Sequence, residues 1–448
     1  MAAAQGMQAL LALLEMLRPT VTAPGFAKLP ALAVGWLRTT GRHAVTEALV
    51  ASGISGRVDH EGYHRFFSRG AWDPDEWGRA LLRLMLRLVP EGEPLRIVLD
   101  DTLAAHKGPQ VFGLGTHLDA VRSTRLHRVF CFGHVWVVLA VLVRVPFSRR
   151  TWALPLILRL YRSEKSCSQS GDAHRKKTEL ARAMLELVLA WTDRQIHLAA
   201  DQAYCNSTVL AGLPERVVVF GAMRDDATLT DLPQQSRRGP GRKRVRGEPM
   251  RSPERLAADG RTPWQDAHAQ LYGELRPVQF KTCVAQWYRV CGSRLLRVVV
   301  VRELSGSIGQ RVFFSTRPDL WVFQILEGYS QRWAIEVTFR DLKQLLGFAD
   351  SSARKRQAVE RVAPFVAYLF SLLVLWATLH PVARRLALPP RRPWYPLKRD
   401  LSFEDLLRAA RRAGQGARIA DLLPGPDNLR LLSRRPSSSR QRSFRFAA

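Results

Sequence analysis

Residues 95–101 read LRIVLDD, a short apolar run that ends in two adjacent carboxylates. Helical periodicity stops before this run, and its composition predicts a buried β-strand. The stretches 129–145 and 151–161 follow and are almost wholly apolar. Strands of that kind are too apolar to face solvent, so we expect a sheet covered on both faces. Because side chains alternate along a strand, Asp100 and Asp101 should point to opposite faces of that sheet.

A second strand that ends in acid is predicted after an amphipathic helix near 173–193. It reads QIHLAAD at 195–201, and a further strand is predicted in ERVVVFGAM at 215–223. Three strands, a helix and a strand, with acids at the strand ends, are typical of an α/β fold with an RNase H-like core. Strand ends in such sheets gather ligands in a crevice. Asp201 should therefore lie near one of the two adjacent aspartates.

The third informative stretch is YSQRWAIEVTFRDLK at 329–343. On one continuous helix, at about 100° per residue, Tyr329, Arg332, Glu336 and Lys343 project from one narrow face. A face with a phenol, a guanidinium, a carboxylate and an ammonium is not a core face. It suits an anionic backbone beside a carboxylate-held cation. The alternative is a solvated face held by i,i+3 and i,i+4 pairs.

The spacing Y-x2-R-x3-E-x6-K resembles the YREK signature of the DDE (RNase H-like) insertion-sequence transposases of the cut-and-paste class. The resemblance implies a catalytic and metal-ligating set of Asp101, Asp201 and Glu336. It also implies two Mg²⁺ ions, with Mn²⁺ able to substitute, that activate water for DNA cleavage. Asp101 is preferred to Asp100 because the family places its acid directly before a Thr or Ser. The segment DQAYCN at 201–206 resembles the family's D-x-x-Y segment.

The same resemblance places Tyr329, Arg332 and Lys343 at phosphates near the cleaved DNA end. Trp333 matches a position where such transposases often carry Trp near the transposon end, and core packing is the equal alternative. The separation of 135 residues between the second and third acids is long for an uninterrupted RNase H core. Such transposases carry a β-rich insertion at that point, and strand signals within 275–316 fit one.

The charge balance favours a polyanionic partner. The chain of 448 residues has 68 Lys and Arg against 39 Asp and Glu, a net charge of +29. Double-stranded DNA is the expected partner, and a basic structural or ribosome-associated protein is the alternative. The densest basic run, at 237–246, contains Arg242, Lys243 and Arg244 between Gly and Pro residues. It predicts a loop or arm that tracks phosphates, or a merely solvated loop.

The first 90 residues predict helices near 5–17, 29–39, 43–52, 59–69 and 74–89. Residues 45–69 contain two short helices around a Gly-containing turn, as a helix-turn-helix does. The second helix carries Arg65, a candidate DNA contact. A plain helical bundle explains the same pattern equally well.

Several features favour a cytoplasmic protein with no membrane segment, and the resemblance implies a bacterial protein associated with the nucleoid. The five cysteines form no CxxC pair, so neither a disulfide framework nor a zinc knuckle is indicated. The N-terminus predicts an amphipathic helix rather than a signal peptide. The uncharged run 362–380 could span a bilayer by its length. Its Pro, Ser, Thr and His residues, and the arginines on both flanks, favour a buried helix instead.

These observations divide the chain into five expected regions. They are a helical DNA-binding domain (1–90), the first part of the RNase H-like core (91–222), a basic loop with a β-rich insertion (223–312), the second part of the core with the glutamate helix (313–383), and a basic, partly disordered C-terminal region (384–448). The expected function is that of a transposase, acting as a homodimer, that binds terminal inverted repeats, cleaves DNA and transfers the cut strand. The alternatives are a catalytically inactive transposase-derived DNA-binding protein and a stand-alone RNase H-like nuclease.

Overall fold

The computed structural model describes most of the chain and contains one large mixed β-sheet with helices packed on it. The described residues are 1–108, 110–119, 121–124, 126–233, 245–271, 274–303, 309–388, 393–394 and 398–414. The strands in this part of the chain are β1 Leu95–Ala105, β2 Gly115–Leu118, β3 Phe130–Val145, β4 Ser148–Tyr161, β5 Ile196–Ala200, β6 Val217–Met223, β7 Gln265–Leu271, β8 Glu274–Gln286, β9 Leu295–Glu303 and β10 Gln310–Ser315.

Five of these strands have the arrangement expected from the sequence. In spatial order they run β4-β3-β1-β5-β6. Strand β3 is antiparallel to both β1 and β4, whereas β1, β5 and β6 are mutually parallel. This mixed α/β sheet is consistent with an RNase H-like core of the DDE type. Strand β2 pairs antiparallel with the first residues of β3.

The strands predicted as a β-rich insertion lie where the sequence placed them, but they continue the same sheet. Strand β10 pairs antiparallel with β6, and β9, β8 and β7 follow in turn. They add to the side of β6 that the core strands leave open, where unpaired backbone groups would otherwise stay exposed. Strand β7 was not expected, since QDAHAQL contains no apolar run, and its pairing with β8 holds it.

The helices account for most of the remaining described residues. They are α1 Ala2–Glu15, α2 Ala23–Phe26, α3 Leu29–Arg38, α4 Val45–Ser52, α5 His60–Ser68, α6 Pro74–Leu86, α7 Glu164–Ser170, α8 Lys177–Trp191, α9 Ser207–Leu210, α10 Pro253–Ala258, α11 Tyr288–Cys291, α12 Val322–Ser330, α13 Trp333–Leu345, α14 Arg356–Leu379, α15 Pro381–Leu386 and α16 Phe403–Ala413.

Local chemistry explains where several helices begin. The side chains of Asp59 and Asp73 accept hydrogen bonds from backbone amides in the first turns of α5 and α6. Pro74 occupies the first position of α6, where a missing N–H does no harm. The five helices predicted in residues 1–90 are all present, with ends shifted by a few residues.

The N-terminal helices do not form a separate body, although the sequence suggested a distinct domain. The Arg361 guanidinium of α14 donates to the carbonyls of Gly70 and Trp72. The indole of Trp36 donates to the Leu346 carbonyl, 310 residues away. One continuous hydrophobic core joins these helices to the sheet. Such long-range contacts leave no local signature, so the sequence could not reveal them.

Helix α14 contains most of the uncharged run 362–380, which is long enough to be taken for a membrane span. By length and composition alone it passes that test, and it is the one described helix that does. Nevertheless, 89% of its most apolar window is buried inside the protein. It packs on β4, and Ser371 donates to the carbonyl of Pro155 on that strand. This packing agrees with the prediction of a buried helix.

The C-terminal region is partly integrated into the core. Helix α16 lies in this region, and its Phe403 ring stacks on Phe370 of α14 at 4.2 Å between centroids. The expected basic, partly disordered C-terminal region (384–448) therefore includes one helix that packs into the core. The basic run at 237–246 falls mostly outside the described residues, and residues 415–448 fall entirely outside them.

Candidate active site

Strand β1 carries both adjacent aspartates, and they face opposite sides of the sheet as expected. The Asp100 carboxylate contacts Arg332, which lies directly before α13. The Asp101 carboxylate contacts Lys177 at the start of α8. Adjacent strand residues point to opposite faces, so α13 and α8 cover opposite faces of the sheet at this point.

Arg332 joins two of the acids. Its Nη1 atom donates to Asp100 Oδ2 at 2.5 Å, and its Nη2 atom donates to Glu336 Oε1 at 2.6 Å. Both Arg332 and Asp100 side chains are about 15% exposed (14% and 15%), so solvent screens this ion pair weakly. Burial lowers the pKa of Arg332, but the attraction of Asp100, Tyr329 and Glu336 outweighs burial and raises it. The guanidinium is therefore a fixed positive charge between two carboxylates.

Asp100 sits in a strongly acidic and desolvated position. The pKa of Asp100 is raised to about 7, mainly by burial and to a smaller extent by the charges of Asp101 and Asp201. Arg332 and a hydrogen bond from the Asp101 backbone amide act in the opposite direction. Desolvation and like charges both disfavour the ionised carboxyl. The site therefore favours a cation at this point.

Asp201 follows β5 and reaches the same edge of the sheet as Asp100. Strands β1 and β5 are parallel neighbours paired up to Leu99 and Ala200, so Asp100 and Asp201 are the next residues along each. One Asp201 oxygen accepts from the Gln202 amide at 2.7 Å and caps a short 3₁₀ turn. The Tyr329 hydroxyl donates to the same Asp201 oxygen at 3.5 Å. Tyr329 and Arg332 thus bring Asp201, Asp100 and Glu336 into one constellation.

Asp101 has different partners. Its two oxygens accept from Lys177 Nζ and from the Tyr204 hydroxyl, each at 2.7 Å. Burial and the nearby carboxylates raise the pKa of Tyr204, so the phenol stays protonated and donates. In this structure Asp101 contacts neither Arg332 nor Glu336. Its role as the first metal ligand stays a prediction.

The prediction of one continuous helix through 329–343 is wrong. Helix α12 ends at Ser330 and α13 begins at Trp333. Across the break the hydrogen bonds run from residue i+3 to residue i, as in the bond from the Arg332 amide to the Tyr329 carbonyl at 2.9 Å. This tight 3₁₀-type turn is a common interruption at functional positions. It places Tyr329 at the end of one helix and Glu336 in the first turn of the next.

The other residues predicted to contact DNA are distributed as follows. Trp333 is 47% exposed, so it is not a core residue. Lys343 is exposed on the last turn of α13, where burial of its stem lowers its pKa and Asp119 opposes that shift. Arg65 is exposed on α5 and pairs with Glu61 at 2.5 Å. The remaining three, Arg242, Lys243 and Arg244, lie outside the described residues.

The residues present fit a divalent metal by their chemistry. Within the described ranges, no group of three Asp, Glu, His or Cys side chains stands close enough to hold an ion as arranged. However, Arg332 supplies positive charge to Asp100 and Glu336, and its buried Nε–H has no partner among the described residues. Carboxylate oxygens are the ligands that Mg²⁺ prefers. Small side-chain rotations that release Arg332 would leave these carboxylates available.

The sequence pattern did not identify Lys177 as a partner of the site. Alternation along β1 also left open which of Asp100 and Asp101 is the first metal ligand, and only the family resemblance favoured Asp101. The lysine is one of the three consecutive basic residues 175–177 directly before the body of α8, which is the one signal that pointed to it. A cavity of about 750 Å³ lies elsewhere, between β4, α8 and α14. None of Asp100, Asp201 and Glu336 lines that cavity. Its charged walls are paired internally, as in Arg159 with Asp75 at 2.6 Å.

Comparison with known proteins identifies the family. The family described as DDE superfamily endonuclease matches residues 17–287. The chain therefore belongs to the DDE superfamily of endonucleases. The matched segment includes Asp100, Asp101 and Asp201 and ends before α12, so Glu336 lies outside it.

Two further comparisons add little to this identification. Among solved structures, the fold is similar to that of a piggyBac transposase in its synaptic complex with hairpin DNA. The TM-score is 0.42 and the sequence identity is 8%, over 97% of this chain and 83% of that chain. A similarity this distant does not bear on function. No curated protein sequence matches the chain.

Proposed function

We propose that the chain is a DDE transposase of the cut-and-paste, YREK-bearing class. One observation carries the proposal, namely that Arg332 and Tyr329 hold Asp100, Asp201 and Glu336 at one edge of the sheet. A merely solvated helix face would not carry an arginine that is 14% exposed and shared with a strand carboxylate. Family membership in the DDE superfamily of endonucleases supports the same reading.

The first acid of the proposed set is Asp100 rather than Asp101. Asp100 shares Arg332 with Glu336, and its pKa is raised by burial and, to a smaller extent, by the nearby charges that include Asp201. Asp101 is engaged on the opposite face by Lys177 and Tyr204. Its position next to the site suits a supporting role, in which its hydrogen bond orients Tyr204 within the segment that begins at Asp201.

Asp100, Asp201 and Glu336 would hold the metal ions. When bound, two Mg²⁺ ions, or Mn²⁺ in their place, would lower the pKa of a water molecule and neutralise charge on the attacking and leaving oxygens. The protein residues prepare this chemistry. The carboxylates of β1 and β5 are fixed by the sheet, and Glu336 is fixed in the first turn of α13.

Arg332 would act on the DNA backbone. Its Nε–H is buried without a partner, and an unsatisfied buried donor costs about 1–3 kcal/mol. A phosphate oxygen that accepts from this atom would satisfy it and would compete with the carboxylates for the guanidinium. The Tyr329 hydroxyl and the Lys343 ammonium would contact neighbouring phosphates, the latter as a point charge. Binding of the substrate would thus loosen Arg332 from the acids that hold the metal.

The proposed substrate is double-stranded DNA that carries the terminal inverted repeats of a bacterial insertion sequence. The net charge of +29 supports a DNA partner. Arg65 on α5, Trp333 and the basic run with Arg242, Lys243 and Arg244 are the proposed additional contacts. Two ends must be cut together, so we propose a homodimer on DNA, in the bacterial cytoplasm and associated with the nucleoid.

A strand-transfer assay tests the proposal. A labelled duplex ending in the inverted repeat that flanks the gene is incubated with the protein, Mg²⁺ and a supercoiled target plasmid. A transposase nicks the repeat end and joins the freed 3′-hydroxyl to the plasmid. Nicking without joined product would favour a stand-alone nuclease. Binding without nicking in Mg²⁺ or Mn²⁺ would favour an inactive transposase-derived protein.

A further inference from the structure

The hairpin formed by β2 and the start of β3 carries an unusual exposed surface, which we call the apolar ribbon (residues 115–132). Among the described residues, five large apolar side chains of this ribbon are exposed: Leu118, Val121, Leu126, Phe130 and Phe132. Val121 and Leu126 at its tip are fully exposed, at 96% and 101%. An apolar patch of this kind on a soluble surface commonly marks an interaction site.

The ribbon is held in a defined shape. The Asp119 carboxylate accepts from the amides of Val121 and Arg122 at 3.0 and 3.1 Å. The Ser123 hydroxyl accepts from the Val129 amide at 2.9 Å, and the Thr124 hydroxyl accepts from the His127 amide at 3.0 Å. These bonds close the tip and present its apolar side chains outward. The exposure of Val121 and Leu126 is therefore a feature of the fold.

The apolar face of the ribbon lies on the same side of the sheet as Asp100. Asp100 is paired with Val138 on β3, and side chains two residues apart on a strand share a face. Counting back from Val138, the same face includes Trp136, Phe132 and Phe130. Trp136 is covered by the ring of Phe348 at 6.3 Å, whereas Phe132 and Phe130 are uncovered.

The ribbon also lies beside the far end of α13. Burial lowers the pKa of Lys343 on the last turn of that helix, and the Asp119 carboxylate of the ribbon lies near enough to oppose this shift. Glu336 is seven residues earlier, or about 10 Å along the helix axis. From Val138 to Phe132 and Phe130 the strand advances about 20–26 Å. Measured along β3, the ribbon therefore lies about 20–26 Å from Asp100, on the same face of the sheet.

We propose that the apolar ribbon is a DNA-groove contact that engages the duplex about six to eight base pairs from the cleaved phosphate, at about 3.4 Å per base pair. This inference rests on the proposed function. A two-stranded ribbon fits the major groove, where apolar side chains contact thymine methyl groups. Arg122 and Arg128 are exposed beside the apolar tip and suit the phosphates on either side.

Charge favours DNA over a second copy of the chain as the occupant. The ribbon carries Arg122 and Arg128 with Asp119 as its one described carboxylate, and Lys343 adds positive charge at its base. Two copies of such a surface would bring like charges together in a chain that already has a net charge of +29. A phosphate backbone complements the same charges.

The test compares wild type with the double variant Val121→Asp and Leu126→Asp. Both positions are exposed, so the variant should melt at the wild-type temperature. On a duplex that extends about 12 base pairs on each side of the cleavage site, we expect its Kd to rise at least about tenfold. On a duplex trimmed to about 4 base pairs on each side, affinity and nicking should equal those of wild type. Leu275→Asp, at another exposed apolar position, is the matched control and should change neither.

The remaining outcomes are distinguishable. Equal affinity of the variant and wild type for the long duplex, or equal losses on both duplexes, would overturn the ribbon contact. A wild-type dimer that becomes monomeric in the variant without DNA, measured by light scattering, would show a contact between copies and would also overturn it. Failure of wild type to bind or nick either duplex would instead count against the proposed function itself.

Discussion

Substitution of Asp100 and Asp101 by Asn separates the two carboxylates of β1. The comparison is made at pH 8, and Asn keeps the shape of each side chain while it replaces the carboxylate by an uncharged amide. Asp100→Asn should reduce the nicking rate at least about a thousandfold, or about 4 kcal/mol, because it removes a proposed metal ligand. Asp101→Asn should reduce it less than about tenfold, since that carboxylate contacts Lys177 and Tyr204 instead.

The free energy of unfolding should respond in the opposite order, so that Asp101→Asn destabilises the fold more than Asp100→Asn does. The folded state raises the pKa of Asp100 to about 7 from 3.8, so stability falls as pH rises through this range and the full penalty remains above it. This pKa difference of roughly 3 units corresponds to a destabilisation of at most ~4 kcal/mol by the charged carboxylate. A neutral Asn relieves part of it, while Arg332 keeps its bond to Glu336. Asp101→Asn loses a partly exposed ion pair and a hydrogen bond, or about 1 kcal/mol.

The assay is a single-turnover nicking rate on a duplex repeat end, with thermal unfolding of both variants in the same buffer. The account expects Asp100→Asn to be inactive and at least as stable as wild type. It expects Asp101→Asn to be active and slightly less stable. If Asp101→Asn abolishes nicking while Asp100→Asn retains it, the assignment made from Arg332 is refuted and the choice based on the family pattern is restored.

Three further predictions concern the guanidinium of Arg332, the buried side chain of His134 and the close contact between α3 and α4 at Gly35. Arg332→Gln should raise the affinity of the DNA-free protein for Mn²⁺, measured by electron paramagnetic resonance of free Mn²⁺, because the competing guanidinium is gone; unchanged affinity would show that it does not compete. Burial lowers the pKa of His134 to about 4, so the unfolded chain binds a proton at this histidine at a higher pH than the folded protein does. The free energy of unfolding should therefore fall by up to ~3 kcal/mol as the pH falls from 6.5 to 4. Urea unfolding should show that loss reduced in His134→Gln and retained in the exposed-site control His60→Gln; identical pH profiles in all three proteins would contradict it. Gly35→Ala should destabilise the fold by about 1–3 kcal/mol despite the better helix propensity of Ala, since the added Cβ would lie 2.0 Å from a backbone carbonyl of α4. Gly62→Ala, whose Cβ meets only ordinary contact, should be neutral or stabilising, and equal thermal shifts for the two would refute the packing argument.

The sequence predicted the local elements well because their signals are local. The core strands near the acids are apolar runs, and the helices of the first 90 residues carry clear periodicity and capping residues such as Asp59 and Asp73. The expectation that β1 ends at its acids is wrong, since pairing with β3 continues the strand to Ala105. The ribbon strand β2 and strand β7 escaped prediction because neither has an apolar run. Cross-strand pairing with β3 and β8 determines both.

The site was predictable in its members but not in its geometry. Alternation along β1 shows that Asp100 and Asp101 face opposite ways, but not which face α13 covers. That depends on where Arg332 lies, and a 3₁₀-type turn interrupts the helix directly before it. The integration of α1 to α6 into the core likewise depends on pairs such as Trp36 with Leu346, which no local pattern encodes.

Glu336→Gln provides the most direct test of the central claim, that three carboxylates drive metal-dependent cleavage. Gln keeps the shape and can still accept from Arg332, so the fold and the affinity for a duplex repeat end should match wild type. The account predicts that wild type nicks this duplex in Mg²⁺ and that the variant binds it without nicking in Mg²⁺ or Mn²⁺. A variant that nicks at the wild-type rate, or a wild type that binds and never nicks with either metal, would contradict the account.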